Sequence, residues 1–239
     1  MCTVTYLPWD RTGFILTSSR DEQTSRPRAE APRRYCIYQQ ALVFPRDPQG
    51  GGTWLATTGS GYTVCLLNGA FQHHHSRPPY RRSRGLVLLD FFQYLYAGAF
   101  ATEYNFEGIE PFTLVIVGMN SERSLTEIRW DGEQVHLSTK DGNKPHIWSS
   151  STLYPAPVRQ RREAWFTDWL AHHQTYTVTE VMDFHRNTGQ EDPANALRMN
   201  RDNQLRTVSI TAVTHHEMEG RTMLYEDLLE KSLQPYRIM

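Results

Sequence analysis

Up to about residue 138 the chain breaks into short stretches rich in β-branched and aromatic side chains, each closed by Gly, Pro, Asn or Asp. That punctuation confines most of this half to antiparallel strand pairs. Residues 2–7 and 14–18 flank the turn-forming PWDRTG, which predicts a hairpin carrying residue 2 at its free end. Residues 54–58 and 62–67 form a second predicted pair around Gly59-Ser60-Gly61, and Asn68-Gly69 closes the later strand. The segment 85–97 (GLVLLDFFQYLYA) is apolar throughout and long enough for a buried helix, with Ser83 near its start as a cap. Residues 112–119, 125–130 and 134–138 return to strand character, and Asp131-Gly132 supplies a tight turn between the last two.

The second half begins with an apolar run at 147–153. A helix is predicted over 158–173, with Trp165, Trp169 and His172 on one face, and a shorter one over 180–186. Residues 205–213 and 222–225 are strand-like, joined through HHEMEG. No Gly/Ser tract, low-complexity linker or solenoid period divides the chain. Strands, helices and strands again therefore predict one layered domain of mixed α and β structure over residues 1–239.

Composition removes several classes of function. A hydrophobic content of 39%, a charged content of 21% and a net charge of -1 argue against disorder and against a nucleic-acid surface. No apolar run reaches the roughly 18 residues of a membrane span, and MCTVTYLPWDRTG lacks the n- and h-regions of a signal peptide, so a cytoplasmic protein without an integral membrane segment is expected. Cys2, Cys36 and Cys65 are an odd set with no C-x-x-C spacing, which fits a reducing compartment with neither a disulfide framework nor a metal site. Cys65, inside YTVCLLN, reads as a buried core thiol.

Cys2 is the first candidate for chemistry. Removal of Met1 would place a thiol, with a pKa near about 8.5, beside a free α-amine near about 8, a self-contained nucleophile and base. Ser19-Arg20-Asp21-Glu22 follows the second strand of the first hairpin, at the end where Cys2 begins. Arg20 there would favour thiolate and Asp21 would hold the α-ammonium, although the same tetrapeptide also reads as a solvated charged turn. Asn68 offers a carboxamide to a developing oxyanion or serves simply as a turn residue. Ser149-Ser150-Ser151-Thr152 is a hydroxyl cluster or a loop, and Arg206 is an anion-binding or surface arginine. His73-His74-His75 with Arg77, Arg81, Arg82 and Arg84 forms a basic loop that suits phosphates or propionates, or simply faces solvent. Three consecutive histidines point in different directions and do not converge on one ion.

Taken together in order and spacing, Met1-Cys2, SRDEQTSRP (19–27), GGTWLA (51–56), Leu67-Asn68, SRGLV (83–87) and LRTVSIT (205–211) resemble the NRDE family, also called the transport and Golgi organisation protein 2 family. Ser19 stands where the family's name-giving asparagine is found. The family in turn resembles N-terminal-nucleophile hydrolases of the choloylglycine hydrolase and penicillin acylase type. The resemblance implies an α+β fold, a four-layer αββα sandwich of two antiparallel sheets. It implies a site of Cys2, Arg20, Asp21, Asn68 and Arg206, with Ser150 where the family usually carries an asparagine. The expected activity is that of an N-terminal cysteine hydrolase or acyltransferase acting on a non-peptide amide or thioester, without a cofactor. The alternative it implies is a protein that keeps the pocket without turnover and carries a lipid, acyl-CoA or haem-type ligand. Oligomeric state is not legible in the sequence.

Overall fold

The computed structural model describes residues 3–10, 12–59, 61–119 and 123–238, so Cys2 lies outside the described residues. In chain order the strands are β1 (Thr3–Trp9), β2 (Gly13–Gln23), β3 (Glu30–Ile37), β4 (Gln40–Arg46), β5 (Leu55–Thr58), β6 (Tyr62–Asn68), β7 (Phe112–Met119), β8 (Arg123–Trp130) and β9 (Val135–Lys140). They continue as β10 (His146–Ser149), β11 (Asn200–Arg201), β12 (Leu205–His216), β13 (Gly220–Asp227) and β14 (Ser232–Ile238). Four helices join them: α1 (Arg84–Asp90), α2 (Ala97–Glu103), α3 (Ala156–His172) and α4 (Val178–Asn187).

Among the described residues these strands make two seven-stranded antiparallel sheets. One runs β10-β1-β2-β12-β13-β14 with β11 paired to β12, and the other is the sequential meander from β3 to β9. The inner faces of the sheets pack on each other, α1 and α2 cover the meander, and α3 and α4 cover the other sheet. The fold is the α+β, four-layer αββα sandwich. No single helix among the described residues is long and apolar enough to cross a membrane.

Burial follows strand position. The interior strand β7 is buried over almost its whole length, whereas β3 is an edge strand with exposed arginines and an internal proline, Pro32. Cys65 is fully buried between the sheets, and burial pushes its thiol up to about 12. Polar ties cross the interface between sheets, among them these. Trp148 Nε1 of β10 donates to Glu127 of β8 at 2.6 Å, and Arg221 of β13, fully buried, donates to the Thr58 carbonyl at 2.7 Å.

Several sequence expectations need correction. The charged Ser19-Arg20-Asp21-Glu22 is not a turn but the far end of β2, and Ser19, Arg20 and Asp21 are buried there. The helix expected over 85–97 ends at Asp90, continues as a 3-10 turn over Phe91–Gln93 and is followed by α2. Asp90 fixes that break, because its buried carboxylate accepts from Arg82, from the Tyr38 hydroxyl at 2.8 Å and from the Tyr104 hydroxyl at 2.9 Å. Ser83 precedes α1 but makes no side-chain cap bond. Strands β3, β4 and β14 have no counterpart among the expected elements.

The pairing of β2 with β12 builds the middle of the first sheet. Register slips between Thr207 and Ser209, so Val208 is the extra residue of a β-bulge, and its carbonyl accepts from Leu228 N at 3.0 Å. Above this sheet, α4 presents His185, fully buried. Its Nε2 bonds Thr5 Oγ1 of β1 at 2.8 Å and its Nδ1 bonds Ser19 Oγ of β2 at 2.8 Å. A neutral imidazole is one donor and one acceptor, and two hydroxyls satisfy either tautomer. Burial, then the charges of Arg162 and Arg186, push the His185 pKa down to about 3.

Because the folded value lies below the ordinary one, the unfolded chain binds the proton first. The stability due to neutral His185 is complete above about pH 6.5 and is lost as pH falls toward about 3. Denaturant unfolding should therefore show stability declining between pH 6.5 and 4 by up to about 1.4 kcal/mol per pH unit from this residue. A His185→Asn variant should flatten the decline, leaving the smaller part due to His215, whose pKa burial also lowers.

Candidate active site

Successive side chains of β2 point to opposite faces, and that alternation divides the SRDE segment between two environments. Ser19 and Asp21 face the α3–α4 layer. Tyr154 Oη donates to one Asp21 oxygen at 2.6 Å and Thr207 Oγ1 donates to the other at 2.5 Å. The Thr207 hydroxyl in turn accepts from Met199 N at 2.8 Å, so a buried carboxylate is held from three parts of the chain. Arg20 projects to the other face. It is 3% exposed, its guanidinium lies 4.6 Å from the Trp54 ring centroid, and it forms the floor of a cavity of about 470 Å³. That volume falls in the usual range for small-molecule sites.

Both sheets contribute to the cavity. Arg20 and Glu22 come from β2, Leu66 and Asn68 from the end of β6, Trp54 from the entry to β5, and Arg82 to Gly85 from the start of α1. The walls touch through glycine. A Cβ on Gly52 would lie 2.3 Å from Gly85 C and 2.5 Å from Gly85 O, and Thr53 N donates to Gly85 O at 3.2 Å. Only backbone without a side chain allows the 51–54 loop and the start of α1 to meet this closely.

Ion pairs line the cavity. Arg20 reaches Glu22 at 3.4 Å and Asp47 at 3.9 Å, while Arg26 holds Asp47 at 2.6 Å and Arg84 holds Glu110 at 2.9 Å. Burial lowers the pKa of Arg20, opposed by the charges of Glu22 and Asp47. Burial alone would raise Asp47, but its hydrogen bond with Arg26 keeps the carboxyl below its ordinary value. Burial lowers Arg84 against the opposing charge of Glu110.

The structure brings some of the sequence-derived residues together and separates others. Arg20 and Asn68 line the same cavity. Asp21 lies behind them on the opposite face of β2. Ser150, 1% exposed, donates through Oγ to the Asn68 carbonyl at 2.8 Å and so anchors the end of β6. Arg206 is half-buried on β12, opposite Glu22 in the ladder, and does not line the cavity. Of the basic loop, Arg82 and Arg84 reach the cavity, and His74 Nε2 contacts Glu110 at 3.2 Å behind it. Trp54, Asp47, Tyr154 and Thr207 were not picked out from sequence as site residues. Trp54 and Thr207 nevertheless lie inside GGTWLA and LRTVSIT, and they meet the SRDE segment on opposite faces of β2.

Gly52→Ala should separate the loop from α1 and cost at least about 1–3 kcal/mol of stability, the range for overpacking a tight contact. Thermal unfolding would measure this. Gly51→Ala is expected to be milder, because a Cβ there meets nothing within 4 Å and only its φ of +70° is unfavourable.

The same architecture occurs in solved structures. An N-acylethanolamine-hydrolyzing acid amidase ortholog from Caenorhabditis elegans matches with a TM-score of 0.61 and 11% identity, over 88% of this chain and 92% of that one. A variant of conjugated bile acid hydrolase from Clostridium perfringens matches with a TM-score of 0.62 and 9% identity, over 100% of this chain and 92% of that one. Penicillin V acylase from Agrobacterium tumefaciens matches at 0.50 and 11% identity, over 100% of this chain and 86% of that one. At these identities the likeness is one of fold, that of N-terminal-nucleophile amidases and acylases. Comparison with curated protein sequences finds no match. The model of the Transport and Golgi organisation 2 family matches residues 1–225, and the chain belongs to that family.

Proposed function

We propose that this chain is an N-terminal cysteine hydrolase or acyltransferase that opens a non-peptide amide or thioester through an acyl group carried on Cys2. The observation that carries the reading is the convergence of Arg20 and Asn68, one from each sheet, on a single cavity of about 470 Å³. The fold adds support, since its structural neighbours are named an amidase, a hydrolase and an acylase.

In this reading the Cys2 α-amine takes the thiol proton and Sγ attacks the carbonyl carbon. The Asn68 side-chain amide donates to the oxyanion that forms. Collapse breaks the bond to the leaving amine or thiol, which departs with the proton held by the α-ammonium. Water, or an acceptor amine, then attacks the Cys2 thioester and restores the thiol. Arg20, cationic and buried at the cavity floor, favours an anionic sulfur within its field. Ser150 contributes through position, because its hydroxyl holds the Asn68 carbonyl and with it the end of β6. Asp21, held by Tyr154 and Thr207 on the opposite face of β2, fixes the strand that carries Arg20.

Intact mass of the purified protein before and after an activated acyl ester tests the scheme. The expected result is a chain lacking Met1 that gains one acyl group on Cys2, with no adduct on Cys2→Ala. Asn68→Ala should slow acylation by about 10²- to 10³-fold, the usual effect of losing one oxyanion donor. Retention of Met1, or an adduct that survives Cys2→Ala, would sink the proposal.

A further inference from the structure

The charge pattern of the cavity says what kind of molecule fills it. Among the described residues that line it, four are arginines (Arg20, Arg26, Arg82 and Arg84) and three are carboxylates (Glu22, Asp47 and Glu110). Apolar side chains are few, chiefly Leu66 and the ring of Trp54. A fatty acyl chain or a sterol would leave these charges desolvated and gain little apolar contact.

The pairs differ in tightness. Arg26 holds Asp47 at 2.6 Å, Arg84 holds Glu110 at 2.9 Å and Arg82 grips Asp90 with two hydrogen bonds. Arg20 is the exception, the most deeply buried of the four, with no carboxylate oxygen nearer than 3.4 Å. Its flat guanidinium rests on Trp54, which fixes the plane of the fork. A buried, oriented guanidinium with only long ion contacts suits a carboxylate supplied by a ligand, because a two-pronged contact completes its compensation without breaking a tighter pair. An ammonium group in the same place would be repelled by the Arg20 charge.

We propose that the cavity binds a small polar molecule through a carboxylate seated on Arg20, and that it discriminates against long aliphatic chains. The acyl-transfer reading bears on what then happens to the bound molecule, and the inference rests on it for that step alone.

The test uses the full chain as Cys2→Ala, so that binding is read without turnover. Calorimetric titration with hippurate, with hippuramide and with N-dodecanoylethanolamine compares a carboxylate, its neutral amide and an aliphatic chain. Hippurate should bind at least tenfold more tightly than either of the others, and the preference should shrink as salt is raised. Arg20→Lys keeps the charge but loses the fork, and should weaken hippurate by about tenfold while leaving hippuramide unchanged. Equal affinities for hippurate and hippuramide, tighter binding of the dodecanoyl compound, or no hippurate binding would each overturn the assignment. The comparison among the three probes stands even where Arg20→Lys does not fold. Incubation of the unsubstituted chain with hippurate then separates the two proposals. Selective binding without benzoyl transfer to Cys2 or release of glycine refutes hydrolysis of this amide and leaves the carboxylate site intact. Cleavage of hippurate and hippuramide with equal efficiency refutes the carboxylate site and leaves acyl transfer intact.

Discussion

The ladder between β2 and β12 is the constraint on which the site depends. It joins residues 14–23 to residues 205–215, nearly the whole chain apart, and makes β2 a central strand with both faces covered. A central strand tolerates charge only where partners wait on the correct face. Asp21 finds Tyr154 and Thr207 on one side, and Arg20 finds Trp54, Glu22 and Asp47 on the other. Two opposite charges on consecutive residues are thereby kept apart by the pleat instead of neutralising each other. The acid organises the helix-side scaffold while the base is left for the cavity.

The cavity owes its shape to backbone as much as to side chains. The contact of Gly52 with Gly85 brings the 51–54 loop against the first turn of α1, and this sets Trp54 beneath Arg20 and Arg84 opposite Glu110. Ser150 performs a similar service across the gap between sheets, since β10 and β6 belong to different sheets and its hydroxyl ties one to the other. A hydroxyl reaching a main-chain carbonyl is a structural bond. The serine at this position thus takes up a positioning task.

The outline of the fold was legible in the sequence, because turn residues and alternating apolar runs are local signals. The first hairpin, the strands from β5 to β9 and the helices α3 and α4 all carry them. Of the elements that were missed, β4 carried such a signal in its apolar run 41–44, while the others show it weakly for physical reasons. The edge strand β3 carries Pro32 and exposed arginines, and β14 interleaves Pro235 and Arg237 with its core-facing Tyr236 and Ile238, so the apolar alternation is interrupted in each. The end of β2 looked like a solvated turn because, Glu22 apart, the groups that satisfy Arg20 and Asp21 lie between 27 and 186 residues away in sequence. The break after α1 depends on Asp90 and two distant tyrosines, which no window around residue 90 reveals. Site residues were legible where they fell within the recognised segments, as with Arg20 and Asn68. Asp47 and Tyr154 belong to none of those segments, and only three-dimensional contact brings them in.

The bulge at Val208 has one more consequence. Before it, the side chain of Thr207 faces the helical layer; after it, Ile210 and Ala212 do, packed against Met182. The odd-even code of β12 therefore inverts at one residue. The strand behaves as two segments out of phase, a tip read by the buried carboxylate and a shaft read by the hydrophobic core. A substitution in the shaft is therefore limited by volume and one in the tip by hydrogen-bonding capacity, so one continuous strand answers to two different constraints.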